Sequence, residues 1–136
     1  MLKVDYTDEM VFSFEGPNLC LLGNEMDFKT LAEVILPLTS KDETNIIVNS
    51  LSFVETTNNQ NSVIFENIIG GEKYGHIINN GEKVLFSLDP RIWERIFIYF
   101  VLMSWKKSTY YLNSFENGLR DLPLDQECHF ICSSEF

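Results

Sequence analysis

Cys128, His129 and Cys132 stand together in CHFIC, and thiolates beside an imidazole are the usual ligands of a structural zinc ion. The spacing works against that chemistry. In a β-strand the two thiols would lie about 13 Å apart at roughly 3.3 Å per residue, too far to share one ion, and His129 would point to the opposite face. The haem-attachment order C-x-x-C-H is absent as well. A packing role is the expectation for these residues, with no metal and no cofactor.

GGEKYGH, residues 70–76, places three glycines after a β-rich run and resembles a phosphate-cradling loop. It lacks the closing Lys-Ser/Thr pair and the helix that would aim N–H groups at a phosphate, so a turn between strands is expected. The chain has two histidines, His76 and His129, and no G-x-S-x-G elbow presents a serine nucleophile. Carboxylates are plentiful, but an acid–base pair is defined by separation in space, and an acidic surface accounts for them. No enzymatic activity is expected. If the chain were instead a small enzyme or ligand-binding protein, Tyr74, His76 and His129 would be the first residues to line its pocket.

The elements that position these groups follow from pattern. TNIIVNSLSFVE, NSVIFENII, KYGHIIN and EKVLFSL are β-rich runs separated by TTNNQN, GGE and Asn80-Gly81. Asn-Gly readily takes the positive φ angles of a type I′ turn, which predicts a hairpin between residues 74–79 and 82–88. Val84, Phe86 and Leu88 alternate with Lys83, Leu85 and Ser87, giving one apolar face. A four-stranded antiparallel meander is the expectation. MVFSFE and NLCLL predict two further strands around a Gly16-Pro17 turn. Asn24 is placed to cap a helix running to about Leu36, with Phe28, Leu31, Ala32, Ile35 and Leu36 on one side and Pro37 ending it. Residues 108–127 read mainly as loop, and a last strand is expected over 129–133. With no repeat or linker, one α+β domain spanning 1–136 is expected: a mainly antiparallel sheet packed with two helices.

The second helix comes from LDPRIWERIFIYFVLMSWKK, residues 88–107. A membrane span needs about 20 apolar residues; the stretch from Ile96 to Trp105 is too short and is flanked by Glu94, Arg95, Lys106 and Lys107. Asp89 can accept from the first-turn N–H groups, proline suits the first helical position, and the lysines suit the negative end of the helix dipole. A helix over about 90–107 is predicted. Ile96 through Met103 place apolar side chains on every side of it, so it is expected to be covered all round in the middle of the domain. The alternative is that part of its face, around Trp93 or Trp105, forms an interface.

Twenty acidic against ten basic side chains give a net charge of −10, which repels phosphate backbones and anionic membranes and favours a basic protein partner. Neither nucleic acid nor membrane is expected to bind. The N-terminal residues carry Asp5, Asp8 and Glu9 before any apolar run and do not read as a secretion signal. Three cysteines cannot all pair within the chain, so reduced thiols and a cytoplasmic location are expected. Acids concentrate at two poles: Asp5, Asp8, Glu9, Glu15, Glu25, Asp27 and Glu33 at one, and Glu116, Asp121, Asp125, Glu127 and Glu135 at the other.

At the second pole YYLNSFENGLRDLPLD interleaves Tyr110, Tyr111 and Phe115 with Glu116, Asp121 and Asp125. Aromatic anchors with charge suit a partner-binding surface, and these six residues are the candidate site. The capped LDPRIWERI helix, the run GLRDLPLDQECHFICSSE and a small acidic domain resemble the immunity proteins of bacterial polymorphic-toxin and contact-dependent growth inhibition systems. The resemblance implies a cytoplasmic antitoxin, monomeric when free, that binds a cognate toxin domain, often a basic nuclease, and blocks its active site or substrate surface. It carries over no residue by position. A structural or adaptor subunit with a large apolar patch is the remaining reading.

Overall fold

Side-chain hydrogen bonds start both helices where the sequence places them. The computed structural model describes residues 1–7, 17–56, 62–69, 75–112 and 129–135. Helix α1, Glu25–Ile35, opens with a capping box: the Asp27 N–H donates to Asn24 Oδ1 at 2.9 Å and the Asn24 N–H to Asp27 Oδ2 at 3.0 Å. Its buried side carries Phe28, Leu31, Ala32 and Ile35. Pro37 does not break off the chain but sits in a short 3-10 helix over Leu36–Thr39, where the ring fits the first turn. Helix α2, Pro90–Trp105, starts from Asp89, whose Oδ1 accepts from the Arg91 N–H at 2.8 Å. The Arg91 side chain also hydrogen-bonds this carboxylate, and that bond holds the Asp89 pKa below its ordinary value.

The strands form two mixed sheets rather than one meander. In chain order they are β1 (Leu2–Thr7), β2 (Asn18–Leu22), β3 (Asn45–Ile47), β4 (Val54–Thr56), β5 (Ser62–Asn67), β6 (Gly75–Asn79), β7 (Lys83–Leu88), β8 (Thr109–Tyr111) and β9 (His129–Ser133). One sheet has the order β4-β1-β2-β9-β8, with β1/β4 and β2/β9 parallel; the other has the order β3-β5-β7-β6, with β5/β7 parallel. The class is α+β, as expected, but the meander is corrected. The single strand expected over 44–55 is broken after Ile47, because polar side chains there compete for the backbone. Asn49 Oδ1 accepts from the Val63 N–H at 2.6 Å and Ser50 Oγ donates to the Ile47 carbonyl at 2.8 Å, so Val48–Ser50 turns and β4 joins the other sheet beside β1.

The β6–β7 hairpin forms, shifted by one residue from the expected turn. Asn79 pairs with Val84, and the Asn80 N–H donates to the Lys83 carbonyl, which leaves Gly81 and Glu82 as the two-residue loop. Gly81 takes φ 92° at its first position, a left-handed conformation that glycine adopts without steric cost. The strand expected at MVFSFE lies outside the described residues, while β1 and β8 fall on segments with no strand expected.

Alternation then decides which side chains meet. Val4, Leu19 and Leu21 from one sheet and Val63, Phe65, Val84 and Phe86 from the other belong to one buried cluster with the inner sides of both helices. Phe86 lies 5.9 Å from Phe130 and 6.5 Å from Tyr6, ring to ring, so the sheets meet directly. Helix α2 lies on the second sheet through Trp93, 4.9 Å from Phe65, and on α1 through Phe100, 5.6 Å from Phe28. Trp93 Nε1 donates to the Glu66 carbonyl at 2.8 Å, which satisfies its one polar group in a fully buried position.

Candidate functional site

The outer side of α2 is uncovered, against the expectation of burial all round. Ile98, Leu102 and Trp105 follow one another at helical spacing and are 50%, 47% and 84% exposed. Arg91, Glu94 and Arg95 continue the same exposed line toward the helix start. The helix is apolar on all sides, but the neighbours that bury Ile92, Trp93, Ile96, Phe100 and Met103 leave this side open. Trp93 faces the core, so of the two tryptophans only Trp105 is available to a partner.

Beside this stripe stands Tyr110. Its ring lies 4.9 Å from that of Tyr99 on α2, and both are half-buried against the core. The β8–β9 register pairs Tyr110 with Cys132 and Tyr111 with Ile131, so the two tyrosines point to opposite faces of the sheet. Tyr110 therefore packs inward against α2 through Tyr99, and Tyr111 points the other way. Phe115, Glu116, Asp121 and Asp125 lie outside the described residues. The bases Lys106 and Lys107 flank Trp105, and Lys107 Nζ lies 3.8 Å from a Glu25 carboxylate oxygen.

A second uncovered surface is the outer face of the β3-β5-β7-β6 sheet. Register places Ile47 beside Ile64, Ile64 beside Leu85, and Leu85 beside Ile78, an apolar row across all four strands. The next row is Asn45, Glu66, Ser87 and His76. Ser87 Oγ donates to Glu66 Oε1. A cleft of about 450 Å³ opens here, lined by Glu43, Thr44, Asn45, Glu66, Ile68 and Ser87 among others. Asn67 builds its wall: Oδ1 accepts from the Thr44 N–H at 2.8 Å, and Nδ2 donates to the carbonyls of Asp42 at 2.8 Å and Ser40 at 3.2 Å.

No protein-family model, curated protein or solved structure matches this chain. What the surfaces can do chemically must come from the residues.

Neither described thiol is placed to act as a nucleophile. Cys132 lies fully buried in the core, and Cys20 is buried on the neighbouring strand. Burial, aided by the charge of Asp5, pushes the Cys20 pKa up to about 11, and burial with Cys20 as neighbour raises Cys132 well above its ordinary value. A raised thiol pKa adds stability that is complete below about pH 8.5, the free-thiol value, and is lost as pH climbs through the folded-state value. Iodoacetamide at pH 8 is expected to leave both residues unmodified in the native protein and to label both in denaturant, read by peptide mass. Rapid native labelling of Cys20 would show that β2 opens.

Of the sequence-derived pocket residues, Tyr74 lies outside the described residues, as does Cys128 of the CHFIC run. His76 pairs with Ser87 in the second sheet, while His129 belongs to the other sheet. Among the described residues no group of three His, Cys, Asp or Glu is placed to hold a metal ion, and no helix is long and apolar enough to cross a membrane.

Proposed function

We propose that this protein acts by binding another protein, and that it serves as an immunity protein neutralising a cognate toxin domain with a basic, nucleic-acid-handling surface. The observation that supports it is the α2 stripe, with Trp105 84% exposed at its end after Ile98 and Leu102. Exposed tryptophan in an apolar patch is the residue type that dominates binding energy at protein interfaces. The Tyr99–Tyr110 pair sets the start of the acidic tail segment beside that patch, so anchor and charge adjoin in sequence.

The physical division of labour follows. A nuclease presents Lys and Arg to phosphate, and a chain of net charge −10 attracts that array at long range. The stripe's own rim carries Arg95 and Lys106, so attraction comes from the total charge and from Glu116, Asp121 and Asp125 rather than from the rim. Charge speeds the encounter and packed aromatics hold the complex.

The test is protection of cells expressing the toxin domain encoded beside this gene. Reversing Glu116, Asp121 and Asp125 to Lys is expected to slow association by about tenfold or more at low salt, and to abolish protection with the fold intact. A reversed variant that still protects, associating at an unchanged rate, removes the tail from the interface. A wild-type protein that neither binds nor protects ends the toxin reading.

A further inference from the structure

The outer face of the second sheet has an unusual exposure. Its two central strands, β5 and β7, run parallel and its edge pairs antiparallel, and the solvent side of such a sheet is ordinarily polar. Here the inner face carries Val63, Phe65, Val84 and Phe86 into the core, whereas on the outer face Ile47 and Ile78 are 47% and 45% exposed and Ile64 and Leu85 between them are half-buried. The row they form is continuous from one sheet edge to the other.

On its Glu66 side the row is flanked by acidic chemistry, while on the other side the same face of β7 carries Lys83. Glu66 has one carboxylate oxygen fixed by the Ser87 hydroxyl; Oε2 has no hydrogen-bond or ion-pair partner among the described residues. Glu43 lines the same cleft and is exposed, and the ion pairs among the described residues use Asp27, Asp89 and Glu25 instead. The Asn67 hydrogen bonds hold the 40–44 backbone against β5, so the cleft is a fixed feature of the fold.

We propose that this face is a docking site for a basic polypeptide segment, which lays apolar side chains over the Ile47–Ile64–Leu85–Ile78 row and inserts an arginine or lysine into the cleft between Glu43 and Glu66. Charge complementarity selects the occupant. A second copy would bring a net charge of −10 against an acidic cleft, and an anionic ligand would meet two carboxylates. A guanidinium can take the free Glu66 oxygen at short range while its stem lies on apolar surface. The inference rests on the protein-binding reading above, but not on the partner being a toxin.

The experiment is an amide chemical-shift titration of the full chain with a short peptide alternating leucine and arginine, and with its counterpart alternating leucine and glutamate. The arginine peptide is expected to shift Asn45, Ile64, Glu66, Leu85 and Ser87. Glu43→Gln with Glu66→Gln, which keeps an acceptor for Ser87, should weaken it about tenfold at low salt, while Trp105→Ala leaves it unchanged. Equal binding of the glutamate peptide, shifts centred on Ile98, Leu102 and Trp105, or no shift at millimolar arginine peptide would each overturn the proposal. Because the peptides report chemistry and cell protection reports the toxin, failure of one reading is distinguishable from failure of the other.

Discussion

Phe100→Asp is expected to destabilise the protein by roughly 4 kcal/mol or more, enough to leave a domain of this size marginal or unfolded. Phe100 is fully buried and its ring meets Phe28 across the α1–α2 contact at 5.6 Å. An aspartate there loses the aromatic packing, worth about 3–5 kcal/mol by truncation, and must either carry an unpaired charge into an apolar site or be protonated. Phe100→Leu separates the two effects. It keeps the site apolar and should cost only about 1–2 kcal/mol, a few degrees in Tm. Urea denaturation measures both. Near-normal stability of the aspartate variant would mean that the helix pair does not form as described.

The local elements were legible because their signals are local. Asn24 and Asp27, Asp89 and Pro90, and the Asn-Gly turn each act within a few residues, and each places a boundary within a residue or two of the observed one. β1 was not expected although its pattern is local: Leu2, Val4 and Tyr6 alternate with Lys3, Asp5 and Thr7, and the three even-numbered residues are buried. Strand order was not legible. An alternating strand buries the same residues whether its neighbour runs parallel or antiparallel, so nothing in NSVIFEN or EKVLFSL distinguishes adjacency of β5 and β7 from a meander.

The two surfaces were hidden for different reasons. Ile98, Leu102 and Trp105 have regular spacing, but a helix apolar all round shows no contrast by which to tell its outer side from its inner one. The sheet row is invisible for a stronger reason: Ile47, Ile64, Leu85 and Ile78 come from four separate strands, and only register brings them into line. Of the six residues singled out from composition, Tyr110 alone is seen beside an uncovered surface, and it gets there through Tyr99, a helix residue whose pattern marked it as core.

Trp105→Ala is expected to weaken binding to the cognate toxin domain by about 2 kcal/mol or more, some thirtyfold, while changing folding stability by less than about 0.5 kcal/mol. The asymmetry follows from exposure. At 84% exposed, the Trp105 ring has almost no contacts within the chain to lose, whereas at an interface it would desolvate a large amphipathic surface at little entropic cost. Leu102→Asp should act in the same direction by placing a charge where the partner packs, again with the fold intact because Leu102 is half exposed. The loss should appear in dissociation rather than association, since neither change removes long-range attraction. Calorimetry with a parallel thermal melt reads both quantities. Unchanged affinity in both variants would take α2 out of the interface and leave the acidic tail and the cleft beside the Ile64–Leu85 row as the surfaces to test.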